Sequence, residues 1–179
     1  MNLERSAEVK TFKNWGRAYS IQFDLIVFNV DPSEEWVNVI HITKGGDMGG
    51  VGDRLPALWL NKNKFFHITT DLKSSRNVVK DYYFSFDKLY HFEMSQSIND
   101  NGQEVYKVSI NNEVVFTDSR GSAGVFDQVT LYLSDPWYPS FKDFGAISNL
   151  TVEQLYDGSS YGFHSMTGIE SKIAIEKCF

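Results

Sequence analysis

A two-residue alternation of apolar and polar side chains, broken by turn sequences, runs along most of this chain. It is clearest in Phe-Asp-Gln-Val-Thr-Leu-Tyr-Leu-Ser-Asp-Pro-Trp-Tyr-Pro at 126–139, where one parity holds Val129, Leu131 and Leu133. Successive side chains of a β-strand point to opposite faces, so this spacing predicts a strand with one buried face. The strand must end at the Asp-Pro pair, because proline has no N–H to donate to a sheet.

The same alternation recurs between turns such as Asn99-Asp-Asn-Gly102, and no segment has the period of a long helix. The pattern predicts about ten strands, at 18–30, 36–44, 54–60, 65–72, 78–86, 89–98, 104–110, 113–117, 126–134 and 145–153. Many short strands joined by turns are typical of an all-β fold, here an antiparallel β-sandwich of the jelly-roll type.

The last part of the chain fits this pattern less well. Asp157-Gly-Ser-Ser160 has the composition of a linker, and Ile169–Cys178 is compatible with either a short helix or a strand. We therefore predict a sandwich domain over residues 1–155 and a linker or tail over 156–179.

Charge and cysteine content limit the partners and the cellular location. A formal net charge of -6 argues against nucleic acid, because that binding requires Lys and Arg against the phosphates. A single cysteine, Cys178, excludes an intrachain disulfide and a cysteine-rich zinc site. The sequence contains no run of about 18 apolar residues, which is the length that a membrane-spanning helix needs. Residues 1–6 lack the apolar part of a signal peptide, so the chain is either cytoplasmic or a processed domain of a secreted protein.

Several segments resemble, in order, strands of the concanavalin A-like jelly roll and, within it, of laminin-G-like domains. The segments are Ser-Ile-Gln-Phe-Asp at 20–24, Gly-Asp-Arg-Leu-Pro-Ala-Leu-Trp at 52–59, Leu-Tyr-His-Phe-Glu-Met at 89–94, the hairpin at 106–115, and Ile-Ser-Asn-Leu-Thr-Val at 147–152. Tyr90-His91 replaces the usual Trp-His, and Asn111-Asn112 replaces the usual Asp-Gly. The resemblance spans residues 8–155 and implies a fold shared by lectins, adhesion modules and glycosidases.

Catalytic motifs of this fold class are missing from the sequence. Jelly-roll glucanases carry Glu-x-Asp-x-x-Glu on one strand, because hydrolysis of a glycosidic bond uses two carboxyl groups. That spacing is absent, and Glu93 is the best single acid. There is no Gly-x-Ser-x-Gly nucleophile motif. These absences predict that the chain is not an enzyme.

Aromatic residues beside the predicted strands are the candidate ligand contacts. Trp and Tyr rings stack on sugars or fill pockets in protein partners, but the same rings also plug the end of a sandwich. The candidate ligand-binding residues are Trp137, Tyr138, Trp59 and Arg54.

Calcium is the candidate cofactor, because laminin-G-like domains often bind it at the sandwich rim. The glycine-rich stretch 45–53 offers carboxylates and backbone carbonyls, the ligands that calcium prefers. The candidate ligands are Asp47, Asp53 and Asp135, with ordinary turn aspartates as the alternative. The histidines His41, His67 and His91 fall at unrelated spacings and are predicted to be core or surface residues.

These predictions favour a non-catalytic recognition module that binds a glycan or an extracellular protein through rim loops, within a secreted or adhesion protein. Two alternatives stay open. One is a divergent glycoside-active enzyme whose acids come from separate strands. The other is a structural domain that self-associates through an exposed sheet face or edge.

Overall fold

The computed structural model describes residues 7–48, 50–73, 75–141, 144–155 and 169–178, with side chains up to residue 154. The predicted all-β class is confirmed, since twelve strands and no α-helix occupy these residues. The strands are β1 (Glu8–Trp15), β2 (Tyr19–Val27), β3 (Trp36–Thr43), β4 (Ala57–Asn61), β5 (Phe65–Leu72), β6 (Ser75–Tyr83), β7 (Leu89–Ile98), β8 (Glu104–Ile110), β9 (Glu113–Asp118), β10 (Phe126–Leu133), β11 (Gly145–Leu155) and β12 (Ile169–Cys178). Within the described residues no helix is long and apolar enough to cross a membrane.

The strands form two six-stranded antiparallel sheets packed face to face. Sheet A has the order β1-β10-β3-β4-β5-β6, and sheet B has the order β12-β11-β2-β7-β8-β9. β12 pairs with β11 along most of its length, so Ile169–Cys178 extends the sandwich beyond residue 155. This part of the predicted tail is an edge strand, because it completes the otherwise free side of β11. Residues 156–168 lie outside the described residues.

The core lies between the two sheets and consists of the alternate, apolar side chains of each strand. In β10, Val129, Leu131 and Leu133 are buried, as their alternation predicts. Phe66 of sheet A meets Phe92 of sheet B edge to face, with ring centroids 5.1 Å apart. An edge-to-face aromatic pair stabilises the fold by more than the burial of its apolar area alone. Because this contact depends on geometry, it helps to fix how the two sheets face each other.

Gly145 begins β11 at a point where the chain has no room for a side chain. A Cβ there would overlap the carbonyl oxygen of Ile26 and lie 2.7 Å from the Phe141 ring. We expect Gly145→Ala to lower the free energy of unfolding by about 2–3 kcal/mol, the usual cost of overpacking. Chemical denaturation measures this. Ser148→Ala on the same strand is the control and should change stability by less than about 0.5 kcal/mol. Equal midpoints for the two variants would refute the close approach.

Candidate functional site

The strand register of sheet A aligns its outward-facing side chains in rows across β3, β4, β5 and β6. Alternate residues of these strands belong to the core, so the remaining parity points away from sheet B. The first row, here called the aromatic row, contains Trp36, Asn61, Phe65 and Tyr83. The second row, here called the histidine row, contains Asn38, Trp59, His67 and Asp81.

The aromatic row presents adjacent rings at the surface. The ring centroids of Trp36 and Phe65 lie 5.8 Å apart, and those of Phe65 and Tyr83 lie 5.9 Å apart. Tyr83, on the edge strand β6, is 77% exposed. Aromatic rings with an exposed face are suited to stacking against the C–H faces of sugars, and Tyr adds a polar hydroxyl.

His67 and Asp81 form a hydrogen-bonded pair beside the aromatic row. The Nδ1 atom of His67 lies 2.7 Å from the Asp81 carboxylate, and the His67 side chain is 19% exposed. An ionised carboxylate only accepts hydrogen bonds, so Nδ1–H donates and Nε2 of the neutral ring carries the lone pair. The Trp36 ring lies 4.8 Å from the imidazole. The pair therefore holds a partly exposed base in a fixed tautomer next to aromatic rings.

Sequence reasoning missed this pair, because it predicted His67 to be a core or surface residue and gave Asp81 no role. The two residues are separated by 14 positions and meet through the β5–β6 hairpin register. The predicted strand at 78–86 is displaced from the observed β6, Ser75–Tyr83. The shared outward parity of His67 and Asp81 was the available signal.

The rim loop, residues 134–141, follows β10 and covers the outer face of β3 and β4. Its anchor is Asp135, which is fully buried and lies 2.8 Å from Nδ1 of His41. The other carboxylate oxygen accepts the backbone N–H groups of Trp137 and Tyr138 at 3.1 and 3.0 Å. Nε2 of His41 lies 2.6 Å from the carbonyl oxygen of Asp53.

Both ring nitrogens of His41 therefore face oxygen acceptors. A carbonyl oxygen cannot donate, so Nε2 must carry a hydrogen. The contact between Nδ1 and the Asp135 carboxylate then also requires a proton, on either the ring or the carboxyl group. The buried His41–Asp135 pair thus holds one proton more than a neutral histidine beside an ionised aspartate.

The predicted ligand residues of the rim loop lie partly in solvent. Trp137 is 38% exposed and packs its ring against His41, with centroids 5.5 Å apart. Tyr138 is half-buried and donates its hydroxyl to Asp47 at 3.1 Å. Burial and the Asp47 carboxylate raise the pKa of Tyr138 to about 12, so the phenol stays protonated and remains a donor at neutral pH.

The other two predicted ligand residues are buried. Trp59 packs edge to face with Tyr138, and the guanidinium of Arg54 stacks on the Trp59 ring at 4.4 Å. Arg54 also donates to the carbonyl and carboxylate of Asp47 and to Asn77. The structure thus brings the four residues together, while only the rim-loop pair reaches the surface. Ligand contact by these residues stays a prediction.

Two of the three predicted calcium ligands, Asp47 and Asp135, lie near each other, but hydrogen-bond donors surround the predicted carboxylates. His41, Asp47 and Asp135 offer ligand atoms within 4.8 Å of one another. However, Arg54 and Tyr138 donate to Asp47, and the backbone N–H of Gly50 donates to Asp53 at 2.5 Å. Calcium needs six to eight oxygen ligands that are not already occupied by donors. The carboxylates as arranged do not fit calcium, and calcium binding stays a prediction.

A second histidine–aspartate pair lies on the outer face of sheet B and provides an internal comparison. His91 Nδ1 lies 2.7 Å from Asp24, which also accepts from Asn149 at 2.6 Å. His91 is 44% exposed, and among the described residues it makes no ring contact. Glu93, the best acid from the sequence, lies on the same face, 3.9 Å from Lys107. Of the two partly exposed histidine–aspartate pairs among the described residues, His67–Asp81 is the one whose histidine packs against aromatic rings.

The sandwich is similar to solved jelly-roll structures. An alginate lyase from Pseudomonas aeruginosa matches with a TM-score of 0.50 and 16% identity, over 79% of this chain and 68% of its own. A SAP-like pentraxin from Limulus polyphemus matches with a TM-score of 0.52 and 12% identity, over 94% and 84%. Another alginate lyase, solved with an alginate tetrasaccharide, matches with a TM-score of 0.50 and 15% identity, over 84% and 78%. No protein-family model and no curated protein matches the chain.

These neighbours confirm the jelly-roll sandwich, and they contradict two predictions made from the sequence. The structural neighbours are mainly polysaccharide lyases. The prediction of a non-catalytic recognition module and the prediction that the chain is not an enzyme are therefore both wrong. Paired carboxylates and activated nucleophiles are motifs of hydrolases, and an enzyme that cleaves by elimination needs neither. At these identities the likeness establishes the fold alone. An activity for this chain therefore has to be argued from its own side chains.

Proposed function

We propose that the chain is a polysaccharide-cleaving enzyme that acts by β-elimination on a uronic acid polymer. The observation that carries the proposal is the His67–Asp81 pair, held at 2.7 Å beside the aromatic row. The polymer would lie against Trp36, Phe65 and Tyr83, with one uronate residue over His67. Alginate, the substrate in the names of two neighbours, belongs to this class of polymer.

The reaction uses the lone pair of His67 Nε2. This atom takes the proton from the carbon that bears the carboxyl group. The C–O bond to the next sugar then breaks at the neighbouring carbon, and a C=C bond forms between the two carbons. The imidazolium returns its proton to the departing oxygen. No water or other reactant is consumed, so a single base is sufficient.

The pair is suited to this role in two respects. Asp81 orients the ring and stabilises the imidazolium that forms when the proton is taken, as an aspartate does in other histidine bases. Histidine is the side chain that enzymes use most often as a general base. Hydrolysis has less support here, because the two rows together hold one carboxylate, Asp81, rather than a pair.

Incubation with a panel of uronic acid polymers and neutral glycans tests the proposal. We expect unsaturated oligosaccharides, detected by the ultraviolet absorbance of the new double bond, from uronic acid polymers alone. Cleavage restricted to neutral glycans would rule out elimination, because those sugars lack the carboxyl group that acidifies the proton.

Tyr83→Ala is expected to weaken binding of the polymer without changing the chemistry. Removing an exposed stacking ring costs about 1 kcal/mol, so KM should rise about fivefold while kcat is unchanged. Steady-state kinetics on a cleaved polymer measures both. Leu89→Ala, at an exposed site of sheet B, is the control and should leave KM unaltered. An unchanged KM for Tyr83→Ala would remove the aromatic row from the binding surface.

Other features stay predictions beside this proposal. They are the laminin-G-like relationship of residues 8–155, an extracellular location, calcium binding, and association with a protein partner or a second copy of the chain. A glycan is the partner class that the proposed elimination uses.

A further inference from the structure

The charge of the rows limits which uronic acid polymer the site accepts. Among the eight residues of the two rows, the one charged group is the Asp81 carboxylate. Glu34 and Glu35 directly precede Trp36, and the whole chain has a net charge of -6. A free uronate at His67 would therefore bring a second negative charge next to Asp81.

The arginines before β4 and on β6 have other neighbours. Arg54 is buried and donates to Asp47 and Asn77. Arg76 lines a cleft together with Asp47, Asp53, Asp71 and Asn77.

The lysines on and beside β4, β5 and β6 also lie outside the two rows. Lys80 alternates with Asp81 and so belongs to the opposite parity of β6. Lys64 lies over the Phe86 ring at 4.8 Å. Lys62 is exposed in the turn that follows Asn61, one position beyond the aromatic row. Asn38, Trp59 and Asn61 are buried. The part of the rows that reaches solvent therefore consists of three aromatic rings and the His67–Asp81 pair.

Elimination from a free uronate adds negative charge to a group that is already an anion. An enzyme for that reaction places cations or several donors at the carboxylate to stabilise the transition state. An esterified uronate needs less of this stabilisation, because its carboxyl group starts uncharged and its α-proton is intrinsically more acidic. A neutral, less hydrated sugar also stacks more favourably on aromatic rings.

We propose that the site takes uronic acid polymers whose carboxyl groups are esterified, with methyl-esterified polyuronates as the substrate class. This inference rests on the elimination proposed above and specifies its substrate. The one charged group of the rows, Asp81, faces His67 and would repel a free uronate there.

Matched polymers test the inference. The probes are polygalacturonate and alginate, each in the free-acid form and after methyl esterification. We expect kcat/KM for the esterified form to exceed that for the free acid by at least about tenfold, the effect of one like-charge contact in a partly desolvated site. His67→Asn, assayed with each polymer, subtracts the uncatalysed elimination of the ester.

A charge-adding variant provides a second readout. Val79 is exposed and lies on the outer parity of β6, two positions from Asp81. Val79→Lys should raise cleavage of the free acid and reduce the preference for the ester severalfold. Val114→Lys, at an exposed site on β9 of sheet B, is the matched control and should leave the preference unchanged.

The outcomes separate this inference from the function it depends on. Equal or faster cleavage of the free acids would overturn the ester preference and leave the elimination standing. No cleavage of any of the four polymers would overturn the elimination itself. A Val79→Lys variant with an undiminished ester preference would show that charge on this face does not select the substrate.

Discussion

His67→Asn is expected to lower kcat for polymer cleavage by about 10²–10⁴-fold, the usual contribution of a general base. Asparagine keeps a polar group of similar size but cannot take a proton. Binding of the polymer should persist, because Trp36, Phe65 and Tyr83 are unchanged. Single-turnover kinetics, with affinity measured separately by calorimetry, distinguishes the lost chemistry from lost binding.

His91→Asn is the matched control for this variant. It removes a histidine with the same 2.7 Å contact to an aspartate, on the outer face of the opposite sheet. Its kcat should equal that of the unaltered protein. Asp81→Asn should reduce kcat by a smaller factor than His67→Asn, because the base remains and only its orientation and the support of its cation are lost. A His67→Asn variant with full activity would exclude His67 as the base.

Asp135→Ala is expected to lower the free energy of unfolding by about 3–5 kcal/mol. Removing one partner of a buried pair leaves the other without compensation. Here His41 would lose its Nδ1 partner while Nε2 stays fixed to the Asp53 carbonyl. The backbone N–H groups of Trp137 and Tyr138 would also lose their acceptor, which should release the rim loop.

Asp118→Ala is the control for the buried pair, because it breaks an ion pair at the surface. Asp118 contacts Arg120 at 2.5 Å, and Arg120 is 47% exposed. Exposed pairs are typically worth less than about 1 kcal/mol, so this variant should unfold close to the unaltered protein. Both are measured by urea denaturation at neutral pH. Equal stabilities of the two variants would show that the His41–Asp135 contact does not anchor the rim loop.

The fold was predictable because its determinants are local. The alternation of Val129, Leu131 and Leu133 identifies a half-buried strand without knowledge of its neighbours, and the Asp-Pro pair marks its end. The edge strand Ile169–Cys178 was left undecided, because a short run with a linker before it carries no information about which strand it will join.

The candidate site was less predictable because it depends on register. His67 and Asp81 meet only when the β5–β6 hairpin pairs them, and a shift of one residue would turn either side chain inward. Glu93 was the best acid by sequence, yet register places it on the other sheet. The Asp-Pro pair predicts where β10 ends, but His41, the residue that holds Asp135 and with it the rim loop, lies 94 positions away along the chain.

The burial of two predicted ligand residues was also beyond prediction from the sequence. Trp59 and Arg54 were chosen for their residue types, which are common in binding sites. The structure buries Trp59 against Tyr138 of the rim loop and Arg54 against Trp59 and Asp47, contacts between segments that no local pattern encodes.

Mass spectrometry of the products released from a methyl-esterified polyuronate tests the central claim most directly. Elimination on sheet A predicts fragments whose masses sum to that of the substrate, each new non-reducing end carrying a C=C bond, and predicts their loss in His67→Asn but not in His91→Asn. Fragments that together contain one added water for each bond cleaved, or cleavage that survives in His67→Asn, would contradict the account.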